Sequence, residues 1–324
     1  MKKALSCLNF AAIGVGGYVA PRHLKAIRDT GNNLIAAIDP FDSVGILDRY
    51  FYEVDFFTEI ERFDRHLEKL RREKPIEEQI HYLSIMSPNY LHDAHCRLGL
   101  RLNLNVICEK PLVINPWNLD QLAAIEEESE GKINTILQLR VHPSLLKLKR
   151  KLEKERADEQ HEVILSYITS RGPWYHASWK GNLEKSGGIA TNIGIHFFDL
   201  LQWLFGKPGE IKVYLSELDR MSGYIELENA KVHWFLSVNK RDLPFSRKPG
   251  EPKTYRSITV DGEEIEFSSG FTDLHTRVYE NILAGKGFGI EDARTSIEMS
   301  HKIRTSKLSR LDDMAHPIIK GRGI

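Results

Sequence analysis

The feature that most constrains the fold is a pair of short apolar runs set around a glycine-rich turn. Residues 5–13 are mostly apolar and stop at Gly14, and residues 34–38 are apolar and stop at Asp39. Between them His23, Leu24 and Ile27 recur at helical spacing over residues 21–30, and Gly31 closes the segment. A strand, a helix and a second strand within about 35 residues form the unit of a parallel sheet, because parallel strands need a crossover that a helix can fill.

The alternation continues. Residues 59–72 read as a charged helix, 81–86 as a strand, 91–100 as a helix, 105–108 as a strand, 116–129 as a helix and 133–139 as a strand. Alternating β and α segments of this kind predict an α/β domain with a doubly wound sheet. After a long charged helix at 145–160, strand-like segments follow at 163–169, 211–218, 223–227, 231–238 and 257–261, with a helix at 192–204 among them. Strands with so little helix between them predict an open, mostly antiparallel sheet with one exposed face. Residues 275–283 and 292–308 are helical again. The expected division is a dinucleotide-binding domain at 1–139 and a second α+β domain at 140–324, whose terminal helices pack back on the first domain. Its sheet is the expected surface for self-association into a homodimer or homotetramer. A chain of 324 residues suits two domains at roughly 100–200 residues each.

Composition narrows the function classes. With 45 basic and 45 acidic residues the chain has no global field for nucleic acid or an anionic membrane, so neither is an expected partner. No run reaches the roughly 18–20 apolar residues of a membrane span. Residues 1–10 carry two lysines and a short apolar stretch that runs into the glycine turn, so they read as a first strand and not a signal peptide. Cys7, Cys96 and Cys108 are too few and too scattered for a disulfide framework or a zinc site, and a reducing cytoplasm is expected.

The turn Gly14-Val15-Gly16-Gly17-Tyr18-Val19 follows a strand and opens a helix, the context a phosphate-binding turn requires. Gly14 permits the tight turn, Gly16 lets backbone N–H groups approach a pyrophosphate, and the helix N-terminus adds positive potential. Val19 stands where a third small residue is usual, which predicts looser helix–strand packing. Asp39 ends the next strand, where a carboxylate accepts hydrogen bonds from the adenosine ribose and repels a 2′-phosphate; NAD is therefore expected over NADP.

Two further loops fall at the carboxyl ends of predicted parallel strands, where open α/β sheets bind ligands. One is Ser87-Pro88-Asn89; the other is Cys108-Glu109-Lys110-Pro111. Lys110 there can donate to a substrate hydroxyl and lower its pKa. Further on, Ser186-Gly187-Gly188 leads into Asn192, His196 and Asp199, which share one face if the segment is an α-helix. Histidine moves protons near neutral pH, as alcohol oxidation demands. His92 and His95 have helical spacing beside Asp93, but with no third ligand in context no metal is expected; His92 is placed as a cap or lining of the cofactor cleft after Asn89.

Taken together, the glycine turn, Ser87-Pro88-Asn89, Glu109-Lys110-Pro111 and the Gly-Gly…His196-x-x-Asp199 segment resemble the Gfo/Idh/MocA oxidoreductase family, over nearly the whole chain and in order. The resemblance implies a Rossmann domain, then a domain with an open, largely antiparallel sheet. It also implies that Lys110 and His196 face the substrate near the nicotinamide. Many members carry Asp at the position of Asn192, which leaves His196 the candidate base and Asn192 a hydrogen-bonding partner of substrate. The segments 138–143, 170–175, 178–181 and 270–275 look like the bacterial UDP-N-acetylglucosaminuronate 3-dehydrogenases of lipopolysaccharide and other surface-polysaccharide synthesis. In that subgroup the sugar 3-hydroxyl is oxidised to a ketone, and some members recycle NADH with 2-oxoglutarate. The expected substrate contacts are Lys110, Arg140, His142, Arg171, Trp174, Tyr175, Lys180, Asn192 and His196, with the arginines on a carboxylate or diphosphate. The expected cofactor contacts are the turn 14–19 without Val15, then Asp39, Ser87, Pro88, Asn89, His92, Glu109 and Lys110. The rival readings are a dehydrogenase of an inositol or free sugar, a non-catalytic NAD(H) sensor, and a structural scaffold.

Overall fold

The computed structural model describes residues 7–42, 44–154, 160–244, 253–265 and 273–321. The chain divides into two compact units, one of residues 1–138 with 272–294 and one of residues 139–271 with 295–324.

The first unit is built on a parallel sheet. Its elements are β1 (Asn9–Ile13), α1 (Ala20–Asp29), β2 (Asn33–Ile38), β3 (Asp55–Phe57), α2 (Ile60–Glu73), β4 (Tyr82–Ile85), α3 (His92–Arg101), β5 (Asn105–Cys108), α4 (Pro116–Glu128) and β6 (Ile133–Thr135). Every residue of β1 is buried, as a strand covered by helices on both faces requires. Among the described residues the strand order is β3-β2-β1-β4-β5-β6, and every pair is parallel. The order reverses beside β1, between β2 and β4. Such a switch point opens a crevice at the carboxyl ends of the strands, where the loops after β1, β4 and β5 lie. Strand β3 was not expected from the pattern, since it has three residues and none is buried. The strand expected at 133–139 stops at Thr135, and a 3₁₀ turn, Gln138–Val141, follows.

The second unit holds α5 (Pro143–Leu152), β7 (His161–Thr169), α6 (Trp174–Ala177), α7 (Leu183–Ser186), α8 (Ile195–Phe205), β8 (Pro208–Ser216), β9 (Arg220–Leu227), β10 (Ala230–Ser237), β11 (Thr254–Val260) and β12 (Glu263–Glu264). Helix α9 (Leu274–Leu283) belongs to the first unit, α10 (Ile290–Thr305) runs across the division, and α11 (Pro317–Lys320) closes the second. Among the described residues the sheet order is β12-β11-β7-β10-β9-β8, and of its strand pairs only β7 and β10 run parallel. Helix α8 buries every residue except His196 and Trp203, and it packs Phe197, Phe198, Leu201 and Phe205 with Val213, Ile225, Val232 and Trp234 of the sheet. The opposite face is not left open as expected: Ala315, Ile318 and Ile319 cover Ile168, Tyr214, Tyr224 and Phe235. His316 makes that cover possible. Its Nδ1 accepts from the amide of Ile318 and so caps α11, while its Nε2 donates to Ser166.

Trp234, which is fully buried, is opposed by Gly223 on the neighbouring strand. A Cβ on Gly223 would lie 2.2 Å from the Lys212 carbonyl oxygen and 2.6 Å from the indole. The backbone on one side and the large ring on the other leave no room for it to yield. Gly223→Ala is therefore expected to lower stability by about 1–3 kcal/mol in urea unfolding; an unchanged midpoint would show that the sheet repacks freely there.

Candidate functional site

The glycine turn is shaped by its neighbours. Gly14 takes a φ of +90°, and a Cβ there would lie 2.7 Å from the Ser87 amide nitrogen. A side chain would thus be both conformationally strained and in collision with the loop after β4. The Gly14 N–H donates to the Ile38 carbonyl at 2.8 Å, which ties the turn to the end of β2. Gly16, Gly17 and Tyr18 are exposed, Val19 is half-buried, and no side chain caps the first amides of α1. Asp39 is buried; one carboxylate oxygen accepts from the Gly16 N–H at 2.8 Å and the other from the Phe41 N–H at 3.0 Å. An open backbone cradle, an uncapped helix start and a carboxylate at the tip of β2 fit a dinucleotide.

The next two loops are braced by the buried His92 and the half-buried His95. Ser87 and Asn89 are buried, Pro88 is half-buried, and Ser87 Oγ meets His95 Nδ1 at 2.9 Å. His92, 1% exposed, has Nδ1 2.7 Å from the Pro111 carbonyl and Nε2 2.8 Å from the Ser87 carbonyl, so it joins the two loops and does not line an open cleft. Both partners are acceptors, and a neutral ring can donate to only one of them at a time. Lys110 is half-buried and its peptide bond to Pro111 is cis.

Glu109, expected at the cofactor, is turned inward instead. Its Oε1 accepts from His23 Nε2 at 3.0 Å and His275 Nε2 at 2.9 Å, and its Oε2 from the Lys110 N–H at 3.2 Å. His23 Nδ1 accepts from the Tyr279 hydroxyl at 2.8 Å, and that hydroxyl meets Ser84 Oγ at 2.8 Å. Burial pushes the Glu109 carboxyl up, but the hydrogen bonds from the two imidazoles outweigh it and hold the group well below the usual carboxylate range. Nothing in the local pattern marked His23 or Tyr279. His275 appeared only as the end of the 270–275 motif, of which 270–272 lie outside the described residues. Among the described residues His23, Glu109 and His275 are also a cluster with donor atoms within 4.8 Å of one another.

In the second unit the segment before α8 is a π-helix, Ala190–Gly194, so Asn192 is out of α-helical phase with His196 and Asp199. The three therefore go to different places. Asn192 Nδ2 donates to the buried Tyr175 hydroxyl at 2.9 Å. Asp199 is buried and receives Arg140 through Nε at 3.0 Å and a terminal nitrogen at 2.6 Å. His196 is half-buried, and on α8 only Trp203 is so besides. His142, expected at the substrate, is 2% exposed and spends its Nδ1 on the Ser144 amide, capping α5. Lys180 Nζ lies 4.1 Å from the Trp179 ring centre and 6.0 Å from that of Trp174; burial, then the Arg171 charge, lower its pKa. Arg171 and Trp174 border an open cavity of about 840 Å³ together with His176, Asn239, Lys240 and Lys253.

Two family models match the chain: the oxidoreductase family NAD-binding Rossmann fold over residues 8–136 and the oxidoreductase family C-terminal alpha/beta domain over residues 149–243. The crystal structure of the WlbA (WbpB) dehydrogenase from Thermus thermophilus with NAD and UDP-GlcNAcA is 48% identical, with a TM-score of 0.90, over 96% of this chain and 99% of that one. The same dehydrogenase with NAD and alpha-ketoglutarate superimposes with a TM-score of 0.91, again at 48% identity over 96% of this chain and 99% of that one. YteT of Bacillus subtilis (strain 168) is 29% identical over 126 residues, 38% of this chain and 29% of YteT. The chain thus spans about a third of the length of the first curated relatives it matches, 29% and 35%. No helix among the described residues is long and apolar enough to cross a membrane.

The buried histidines make stability depend on pH. Burial lowers the pKa of His23 and His92 from 6.5, and that of His95 to about 4. Between pH 6.5 and each folded value the unfolded chain binds more protons, so stability is complete above pH 6.5 and is lost as pH falls below it. Glu109, with its depressed pKa, adds a further loss below the ordinary carboxylate range. The unfolding free energy from urea titration should be flat from about pH 8 to 7 and fall steadily from 6.5 to 5, at up to about 1.4 kcal/mol per pH unit for each such histidine; a flat profile down to pH 5 would contradict it. The parallel sheet with its glycine turn and buried Asp39, the mostly antiparallel sheet beyond it, and both matched models in order place the chain in the Gfo/Idh/MocA family of NAD-dependent oxidoreductases.

Proposed function

We propose that the protein oxidises the 3-hydroxyl of UDP-linked N-acetylglucosaminuronic acid to the 3-keto sugar, in the synthesis of a surface-polysaccharide sugar. The observation that carries this reading is the 48% identity, across 96% of the chain, to a dehydrogenase crystallised with NAD and that nucleotide sugar. The second unit offers matching chemistry. A diphosphate and a uronate bring several negative charges, and Arg171, Lys240 and Lys253 border one cavity. Arginine suits bidentate contact with such anions, and Trp174 and Trp179 offer rings for a sugar or nucleobase. Arg140 and His142 serve the substrate indirectly, Arg140 by holding Asp199 on α8 and His142 by capping α5.

Gly14, Gly16, Gly17, Tyr18 and Val19 would hold the cofactor, with Asp39 for its ribose and Ser87, Pro88 and Asn89 beside it. NAD bound there supplies the hydride acceptor. Lys110 donates to the reacting hydroxyl oxygen and stabilises negative charge on it, His196 takes its proton, and Asn192 hydrogen-bonds the sugar. A 2-oxo acid is the second substrate that returns NADH to NAD, as the alpha-ketoglutarate complex of the Thermus dehydrogenase suggests.

NADH absorbance with UDP-N-acetylglucosaminuronic acid tests the substrate: a rise is expected, and 2-oxoglutarate should abolish it while 2-hydroxyglutarate accumulates. Turnover of myo-inositol or a free sugar in place of the nucleotide sugar would refute the assignment, and tight NADH binding with no turnover would make the protein a sensor. Lys110→Met should cut kcat by at least about 10²-fold and leave NAD affinity unchanged, and His196→Asn should lower kcat by about 10²–10⁴-fold and remove the acidic limb of its pH profile. Full turnover by either variant would remove that residue from the mechanism.

A further inference from the structure

We propose that Glu109, held between His23 and His275, is a positioning residue that sets the main chain of Lys110. The inference rests on the reading that Lys110 serves the reacting oxygen. Glu109 is 6% exposed, its Oε1 receives both imidazole Nε2 atoms, and its Oε2 receives the Lys110 N–H.

The hydrogens in this cluster have one consistent direction. A carboxylate only accepts, so His23 and His275 each carry hydrogen on Nε2. The bare Nδ1 of His23 then takes the Tyr279 hydroxyl hydrogen, and the Tyr279 oxygen takes that of Ser84. Burial raises the Tyr279 pKa, which keeps this phenol a donor. The chain Ser84→Tyr279→His23→Glu109 thus ends on one buried negative charge, with His275 as the second donor.

The four anchoring side chains come from α1, β4 and α9, all in the first unit. Lys110 therefore starts from backbone pinned to the packed interior, although it sits in a loop. Turning that backbone by about 10° would move an ammonium about 6 Å away by about 1 Å, and a misplacement of that size costs on the order of 10²-fold in rate. Glu109, His23, His275, Tyr279 and Ser84 are all buried, so their effect should reach the reaction through Lys110 and fall on kcat.

Glutamine has the shape of Glu109, but its amide would put a donor against either an imidazole N–H or the Lys110 N–H. In the full-length enzyme, Glu109→Gln should lower kcat by about 10–100-fold, with KM for the sugar nucleotide and NAD affinity within about 2-fold. Amide hydrogen exchange at Lys110 should quicken in the same variant. His275→Gln, which keeps a donor near the place of Nε2, should retain most activity, whereas His275→Ala should behave like Glu109→Gln. The histidine pair carries the test if Glu109→Gln does not fold. Unchanged kcat and exchange in Glu109→Gln, equal behaviour of the two His275 variants, or one tightly held metal ion per purified chain would each overturn the proposal. Lys110→Met separates the two ideas: if it abolishes turnover while Glu109→Gln does nothing, only the positioning role falls. If Lys110→Met is fully active, the catalytic reading falls, and exchange at Lys110 alone decides whether Glu109 holds that backbone.

Discussion

A carboxylate withdrawn from water organises the first unit. An isolated buried charge is costly, and removing one partner of a buried ionic group typically destabilises by about 3–5 kcal/mol. Glu109 escapes that cost because two imidazoles and a main-chain N–H converge on it. Meeting that demand explains why a segment near the end of the chain belongs to the first unit: α9 delivers His275 to Glu109 and Tyr279 to His23. The same device holds the main chain of Lys110 at the end of β5, through the bond from its N–H to Glu109.

The turn after β1 shows the complementary strategy. There the chain avoids side chains, because Gly14 must take a positive φ against the backbone at Ser87 and the amides beyond it must stay accessible. Asp39 holds the shape of the turn through the Gly16 amide, at the strand tip where Rossmann folds in general carry an acidic residue. His92 then links the loop after β4 to the loop after β5, so three neighbouring strand ends act as one frame.

Much of this was legible in the order of residues, for reasons that are local. Apolar runs of strand length, the glycine turn between the first two and the clean stop at Asp39 specify a β-α-β unit, because period, turn chemistry and length all act within a few residues. The strands of the second sheet were equally readable from alternation. The partners of Glu109 were not, since they lie 86 and 166 residues away and His23 looks like any residue on the buried side of a helix. The capping roles of His142 and His316 were hidden because histidine is not a usual cap; each stands directly before a proline that opens a helix. The cover over the second sheet was missed because α11 has only four residues.

The π-helical turn at Ala190–Gly194 gives the second unit an adjustable joint. Such a turn holds one residue more than the α-helix it interrupts, and one residue corresponds to about 100° of rotation about the helix axis. Deleting any one of those five positions would let the segment wind on as regular helix. The sheet-facing residues of α8 would stay packed, while the helical residues just before the deletion would turn by about 100° relative to them. Relatives that differ by one residue here would thus present a different polar group to the same surface without rebuilding the core.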